Sequence, residues 1–136
     1  MLEVTKRRFS GPNTNPGDSV EITEKIIGCA MKVSSTLGVG YLEKVYENAL
    51  VVELARAGLG VEQQKPLKVT YEGVIVGDFA ADIIVNGSVL LELKAAKIID
   101  QTHQAQLLNY LRVTGIKLGL ILTFGTSRLG IKRMVL

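Results

Sequence analysis

Two short apolar runs joined by a turn constrain the fold of this chain more than any other feature. Residues 79–85 and 88–95 are rich in Ile, Leu and Val, and the Asn86-Gly87 pair between them is a strong hairpin signal. Runs without polar alternation are typical of strands that are buried on both faces of a sheet. The chain must therefore build at least two central strands, although both runs carry charged residues in their interiors.

Helical periodicity on both sides of these strands predicts helices that flank the sheet. Asp18 followed by Glu21 resembles a capping box, and apolar residues at helical spacing then predict a first helix that ends at about Leu37. Two glycines follow, after which a second helical pattern continues to Gly58. A third helical pattern covers residues 99–113.

Alternating and continuous apolar segments predict the remaining strands. From Val61 to Tyr71 the period changes to two, Glu72-Gly73 interrupts it, and Val74 and Val76 resume it, which predicts a second hairpin. The predicted order is two helices, four strands, one helix and two strands, a mixed central β-sheet flanked by helices of the α/β class. The predicted strands cover residues 61–71, 74–76, 79–85, 88–95, 118–124 and 129–136.

Length and composition limit the class of protein. The 136 residues suit one domain, expected at 18–136 behind a flexible arm of residues 1–17 that is rich in turn formers. A net charge of +3 permits contact with a phosphate backbone but is not a dense basic patch. Trp is absent and aromatics make up 5%, which argues against a single-strand binder built on a platform of stacked rings.

The same features predict a cytoplasmic protein. Cys29 stands alone, so the chain cannot form an internal disulfide, and a reducing compartment fits best. No stretch of about 18 uncharged apolar residues exists that would predict a membrane span or a secretory signal. The oligomeric state stays open, with a homo-oligomer as one alternative.

The charges inside the two apolar runs predict a chemical site. Asp82 lies in the first run, and Glu92 and Lys94 lie in the second, two residues apart and hence on one face of the strand. Buried charges are costly unless they are paired or bind a metal. Carboxylates bind Mg²⁺ or Mn²⁺, and a lysine can offset charge that develops on a phosphate, so the set fits phosphodiester hydrolysis.

This site requires a particular hairpin register. A two-residue turn at Asn86-Gly87 would leave Asp82 and Glu92 on opposite faces of the sheet, because residues paired across a hairpin share a face. We therefore predict a loop with an odd number of residues, such as Val85-Asn86-Gly87 with Gly87 in the left-handed conformation, or a bulge elsewhere.

These residues resemble a known motif. Asp82 followed by Glu92-Leu93-Lys94, with Ala81 where proline is usual, is similar to the motif of the PD-(D/E)XK nuclease superfamily. Gly40-Tyr-Leu-Glu43-Lys-Val-Tyr46 is similar to the signature of the GxxExxY protein family, and the resemblance extends from about Asp18 to the last residue. It implies a restriction-endonuclease-like core. We expect nucleic acid, and DNA in particular, as the partner of a nuclease-type domain of this kind.

The resemblance also implies roles for individual residues. It gives Asp82 and Glu92 as ligands of Mg²⁺ or Mn²⁺, Lys94 as a catalytic group, and Glu43 as a helix-borne acid that should lie near them. Gln106-Leu-Leu-Asn-Tyr110 resembles a QxxxY element in which both residues help to arrange the site and the DNA. The candidate site residues are catalytic Asp82, Glu92, Lys94, Glu43 and Gln106, and substrate-binding Tyr110, Tyr46 and His103.

Simpler interpretations stay open for several of these residues. The acids and the lysine would also suit the solvated face of an edge strand, and Glu43 would suit a first helical turn. Tyr46 is as well explained by packing, and Gln106 and Tyr110 by an ordinary helix surface. A lone histidine near a helix start, such as His103, is more often structural. At the level of the whole protein, the alternative is a catalytically silent nuclease-fold module that binds nucleic acid or a protein partner.

Overall fold

A computed structural model describes residues 16–136 and has the mixed α/β architecture that the sequence predicts. The predicted arm lies almost wholly outside these residues, and the first helix begins two residues before the predicted start. Pro16 suits a helix start because its missing N–H would have no intrahelical partner there. The helices are α1 (Pro16–Leu37), α2 (Glu43–Arg56) and α3 (Gln101–Thr114), and the strands are β1 (Val61–Tyr71), β2 (Val74–Val85), β3 (Val89–Lys94), β4 (Leu118–Thr123) and β5 (Gly130–Val135).

The five strands form one sheet in their sequence order, β1-β2-β3-β4-β5. All neighbours are antiparallel except β3 and β4, and α3 is the crossover that a parallel pair needs. Asp100 and His103 form a capping box at the start of α3, and Gly115 ends it at a φ of 77°. None of the described helices is long and apolar enough to cross a membrane.

Each face of the sheet has its own apolar core. The core on one face packs α1 and α2 against odd-numbered residues of β2 and β3, including Ile83, Val85 and Leu91. The other core packs α3 against Ile84, Leu90 and their neighbours. The central strands are therefore buried on both sides, as their continuous apolar sequences predict.

The prediction of separate strands at 74–76 and 79–85 was wrong, because β2 runs unbroken from Val74 to Val85. Gly77 pairs with Val69 within the β1–β2 ladder, and the register shift follows directly, between Val69 and Thr70. A Cβ at residue 77 would collide with the ring of Phe79, so the glycine gives this ring space within a continuous strand rather than marking a break. The sheet thus has five strands where the sequence predicted six.

The hairpin between β2 and β3 has the odd loop that the site requires. Val85 pairs with Val89, so three residues, Asn86 to Ser88, form the loop. This lies one residue later than the example given by sequence, although Gly87 is left-handed as predicted, with a φ of 65°. Asn86 is also left-handed, and its buried side chain accepts the N–H of Gly60 at 2.7 Å, which fixes the loop against the start of β1.

Candidate active site

The backbone pairing of β2 with β3 ends at Ile83 and Leu91. Beyond this pair, two carboxylates accept backbone N–H groups in place of carbonyl oxygens. The backbone N–H of Asp82 donates to Oε2 of Glu92 at 3.1 Å, and the N–H of Leu93 donates to Oδ2 of Asp82 at 2.8 Å. Each acid is therefore held by the backbone of the opposite strand. The odd loop sets the register that leads Asp82 and Glu92 toward each other, and these two hydrogen bonds hold the acids together where the ladder ends.

Side-chain alternation along β2 breaks at Asp82. Ala81 and Ile84 pack into the same core on the α3 face, although they are three residues apart and regular alternation would separate them. Gln64 lies across from Asp82 on β1 and has a φ of 54°, a conformation that residues other than glycine rarely adopt. Because of this irregularity, Asp82 lies near the helices on both faces of the sheet.

Burial and neighbouring negative charges raise the pKa values of the two acids. The pKa of Asp82 is raised mainly by burial, and the negative charges of Glu47 and Glu43 add to the effect. Glu92 is 4% exposed, and burial followed by the charge of Asp82 raises its pKa from 4.5 to about 8. Lys94 lowers both pKa values without cancelling these effects. Two acids that resist ionising together would be stabilised by a cation.

Lys94 is oriented by α3. Its Nζ donates to Oε1 of Gln106 at 3.1 Å, and Nε2 of Gln106 donates to the hydroxyl oxygen of Tyr110 at 3.3 Å. Burial, and after it the charge of Glu92, raises the pKa of the Tyr110 hydroxyl, so this group stays neutral near pH 7. The predicted QxxxY pair thus lies in the site and holds the lysine amine.

Glu43 reaches the same region from the start of α2. Its Oε2 accepts the backbone N–H of Ala95 at 3.2 Å, and its charge raises the pKa of both Asp82 and Glu92. The prediction that the first turn of α2 lies near the acids is therefore confirmed. Gly125 allows the chain after β4 to approach this point, because a Cβ there would collide with the carbonyl oxygens of Ala95 and Ala96.

Tyr46 is a packing residue that positions the entry to α2. Its ring is 1% exposed and stacks on Phe124 with 4.7 Å between ring centroids. Its hydroxyl donates to the carbonyl of Gly38 at 2.6 Å and accepts the N–H of Tyr41 at 3.3 Å. These contacts correspond to the packing interpretation that the sequence left open, and they fix the loop from which Glu43 extends.

His103 serves the start of α3. Its ring Nδ1 accepts the backbone N–H of Asp100 at 3.3 Å, and the backbone N–H of His103 donates to Oδ1 of Asp100 at 2.9 Å. These hydrogen bonds complete the capping box. The contacts of His103 are therefore structural, in line with the simpler interpretation of this residue.

Sequence reasoning missed a buried acid beside the site, Glu47. It is 3% exposed, and the side-chain amides of Gln63 and Gln64 donate to its Oε2 at 2.7 and 2.9 Å. Lys44 pairs with the same oxygen at 3.2 Å. Glu47 lies four residues after Glu43, on the same face of α2, and that spacing was the available signal.

The donor set fits a hard divalent cation. Asp82 and Glu92 offer carboxylate oxygens, the ligands that Mg²⁺ and Mn²⁺ take, and their mutual repulsion would fall once a cation lay between them. Among the described side chains, those of residues 20–136, no three from His, Cys, Asp or Glu already form a group that could hold a metal ion. The two acids would therefore supply only part of a coordination shell, which Mg²⁺ commonly completes with water.

A mixed sheet between helices, with an acid on β2 and an acid and a lysine on β3, defines a nuclease-type domain. The sequence model of the PD-(D/E)XK nuclease superfamily matches residues 20–134. The chain belongs to that superfamily, as its motif predicted. Comparisons with curated proteins and with solved structures gave no match. The narrower resemblance to the GxxExxY family stays a prediction.

Proposed function

We propose that this protein is a metal-dependent nuclease that hydrolyses phosphodiester bonds in DNA, with Mg²⁺ or Mn²⁺ held by Asp82 and Glu92. One observation carries the proposal: the two acids exchange backbone hydrogen bonds where the β2–β3 ladder ends, on the strand that also bears Lys94. Membership of the PD-(D/E)XK nuclease superfamily supports a nuclease-type activity.

The reaction would be a hydrolysis. A water molecule loses a proton as its oxygen bonds to phosphorus, the bond from phosphorus to the leaving oxygen breaks, and the leaving oxygen takes up a proton, so that one proton passes overall from water to the leaving group. A bound divalent cation supplies two effects, polarisation of a phosphoryl oxygen and a lower pKa of bound water. The chain contributes the carboxylates of Asp82 and Glu92, which are preorganised by hydrogen bonds to backbone N–H groups.

Lys94 would stabilise negative charge on the phosphate in the transition state. Its amine is held by Gln106, which is itself hydrogen-bonded to Tyr110, so the amine keeps one orientation before substrate arrives. Glu43 would act through position, because it fixes the backbone at Ala95, next to the catalytic lysine.

A cleavage screen tests the proposal and offers matched controls. Single-stranded DNA, duplex DNA and RNA would each be incubated with the protein and with Mg²⁺ or Mn²⁺. Asp82→Ala and Lys94→Ala should abolish or strongly reduce DNA cleavage. Their controls are Asp78→Ala, an exposed acid on the same strand, and Lys97→Ala, an exposed lysine three residues beyond Lys94.

The controls should cleave DNA at the wild-type rate. Absence of cleavage of every nucleic acid with either metal, or cleavage that survives both Asp82→Ala and Lys94→Ala, would overturn the catalytic assignment. A catalytically silent module that binds nucleic acid or a protein partner would then be the better description. Cleavage of RNA alone would overturn the assignment of DNA as substrate.

A further inference from the structure

An apolar pocket adjoins the site on its α3 side. It has a volume of about 710 Å³ and lies between the β1–β2 hairpin and the outer face of α3. Val69 and Phe79 form its wall on the hairpin, and Tyr110 and Val113 form its wall on the helix. Phe79 is 47% exposed, although a large aromatic ring on an apolar surface is usually covered by other protein groups. The pocket therefore offers an exposed aromatic ring, which lies 6.1 Å from the ring of Tyr110 between centroids, to whatever enters it.

The pocket is continuous with the catalytic side chains. Gln106 lines it and also accepts a hydrogen bond from Nζ of Lys94, so one residue separates the pocket from the amine that would contact the scissile phosphate. Tyr110 lines it and is hydrogen-bonded to Gln106. A group bound in the pocket would therefore lie close to the cleaved bond, because only the side chain of Gln106 separates the pocket from the amine of Lys94.

The pocket also has a few polar groups on its α3 side. Asn109 and Gln106 offer side-chain amides, which can both donate and accept hydrogen bonds, and Thr102 offers a hydroxyl. Arg112 lines the same pocket, and its Nη1 donates to Oδ1 of Asn109 at 2.9 Å. Apolar walls with an exposed ring suit the flat face of a base, the amides suit its edge, and the guanidinium suits a phosphate.

Resting on the proposed nuclease function, we propose that this pocket binds one unstacked nucleobase of the DNA strand next to the scissile phosphate. A base within a duplex is stacked on both sides and cannot enter such a pocket until it is extruded from the helix. The substrate is therefore single-stranded DNA, or a strand end or flap with unpaired bases. The scarcity of aromatics excludes an extended stacking platform, but a single pocket needs only the ring of Phe79.

Binding measurements on matched variants test this proposal without relying on cleavage. Fluorescence anisotropy with Ca²⁺ would give the affinity of the protein for a short single-stranded DNA and for the corresponding duplex. Phe79→Ala removes the exposed ring, and Ala105→Leu fills the pocket from an exposed position of α3 without removing any wall. Tyr71→Ala is the control, because Tyr71 is a 70% exposed ring on the same hairpin and does not line the pocket.

Loss of one stacked base should weaken single-strand binding at least about fivefold in Phe79→Ala and in Ala105→Leu. Tyr71→Ala should bind like wild type, and the variants should not change the affinity for duplex DNA. Thermal unfolding would check that each variant is folded. The proposal is overturned if wild type does not bind single strands, if neither pocket variant weakens binding, or if the control weakens it equally.

The test separates this proposal from the nuclease function on which it rests. Failure of the nuclease proposal appears as the absence of cleavage with Mg²⁺ or Mn²⁺, whatever the affinities are. Failure of the pocket proposal appears as unchanged single-strand affinity in Phe79→Ala and Ala105→Leu, even if the protein cleaves DNA.

Discussion

Nε2 of Gln64 lies 2.9 Å and 3.1 Å from the two carboxylate oxygens of Glu47, so one amide on β1 holds a buried acid on α2. The same nitrogen is 3.4 Å from Oδ1 of Asp82. Gln64 thus links the acid that the sequence did not reveal to the acid that we propose as a metal ligand. It does so from a left-handed backbone, with a φ of 54°, and such outliers are often kept where they serve a site.

Gln64 should separate stability from activity. Gln64→Ala and Gln64→Gly both remove the amide, but only glycine relieves the left-handed strain. We expect both variants to lose the same fraction of cleavage activity. The free energy of unfolding of Gln64→Gly should be about 1 kcal/mol higher than that of Gln64→Ala. Chemical denaturation and the cleavage assay would measure the two effects.

Gln63→Ala is the matched control for this pair. Gln63 also donates to Glu47, at 2.7 Å, but its other side-chain contact is Asn48 rather than Asp82. We expect it to lose stability with less effect on cleavage. Equal activity loss in the Gln63 and Gln64 variants would mean that Gln64 acts only through Glu47.

The stability of the metal-free protein should fall as pH rises. The pKa of Glu92 is about 8 in the folded protein and near 4.5 when unfolded, so the folded state binds more protons between these values. The stabilisation is complete below about pH 4.5 and is lost as pH rises through 8. A tenfold difference in proton affinity between the folded and unfolded states corresponds to about 1.4 kcal/mol. Urea unfolding across this range would measure the slope.

Glu92→Gln is the test of that cause. Glutamine keeps an oxygen that can accept the N–H of Asp82 but cannot ionise, so the dependence on pH should flatten. Adding Mn²⁺ to the wild-type protein should restore stability at pH 8, because the cation offsets the repulsion between the acids. An unchanged slope in Glu92→Gln would contradict this origin of the pH dependence.

Asp82 and Lys94 should affect metal binding and catalysis differently. Asp82→Ala removes a proposed ligand and should weaken both Mn²⁺ binding and cleavage. Lys94→Ala should leave Mn²⁺ affinity within a fewfold of wild type and lower the cleavage rate on the order of a hundredfold, because the amine acts where charge develops. Titration calorimetry and single-turnover cleavage would provide the comparison. A lysine variant with normal cleavage would remove Lys94 from the mechanism.

Tyr46→Phe should report on the loop that leads into α2. The substitution keeps the ring stacked on Phe124 and removes the hydroxyl that contacts Gly38 and Tyr41. We expect a loss of about 1 kcal/mol in unfolding free energy, with a modest loss of cleavage through the position of Glu43. Tyr41→Phe, on a ring that is 50% exposed, should change stability by less than about 0.5 kcal/mol.

The central hairpin shows how far periodicity and turn chemistry reach. Continuous apolar runs predicted β3 and the second half of β2, and the need to bring Asp82 to Glu92 predicted an odd loop before its position was known. The prediction failed at Gly77, where the sequence suggested a break and the strand continues. Whether a glycine ends a strand or yields space to a neighbour depends on what lies above it, here the ring of Phe79.

The sequence by itself determined most of the elements, the class of fold and the candidate residues Asp82, Glu92 and Lys94. These follow from local periodicity and from charges in otherwise apolar strands, which are costly unless they are paired or bind a metal. Tertiary structure decided which other residues surround these site residues. Glu47 looks like any helix acid, and Gln64 like any strand polar residue, until the sheet brings β1 beside α2. Likewise, the sequence left open whether Tyr46 contacts substrate or packs in the core. The structure buries it against Phe124, because only packing decides which face of a helix is covered.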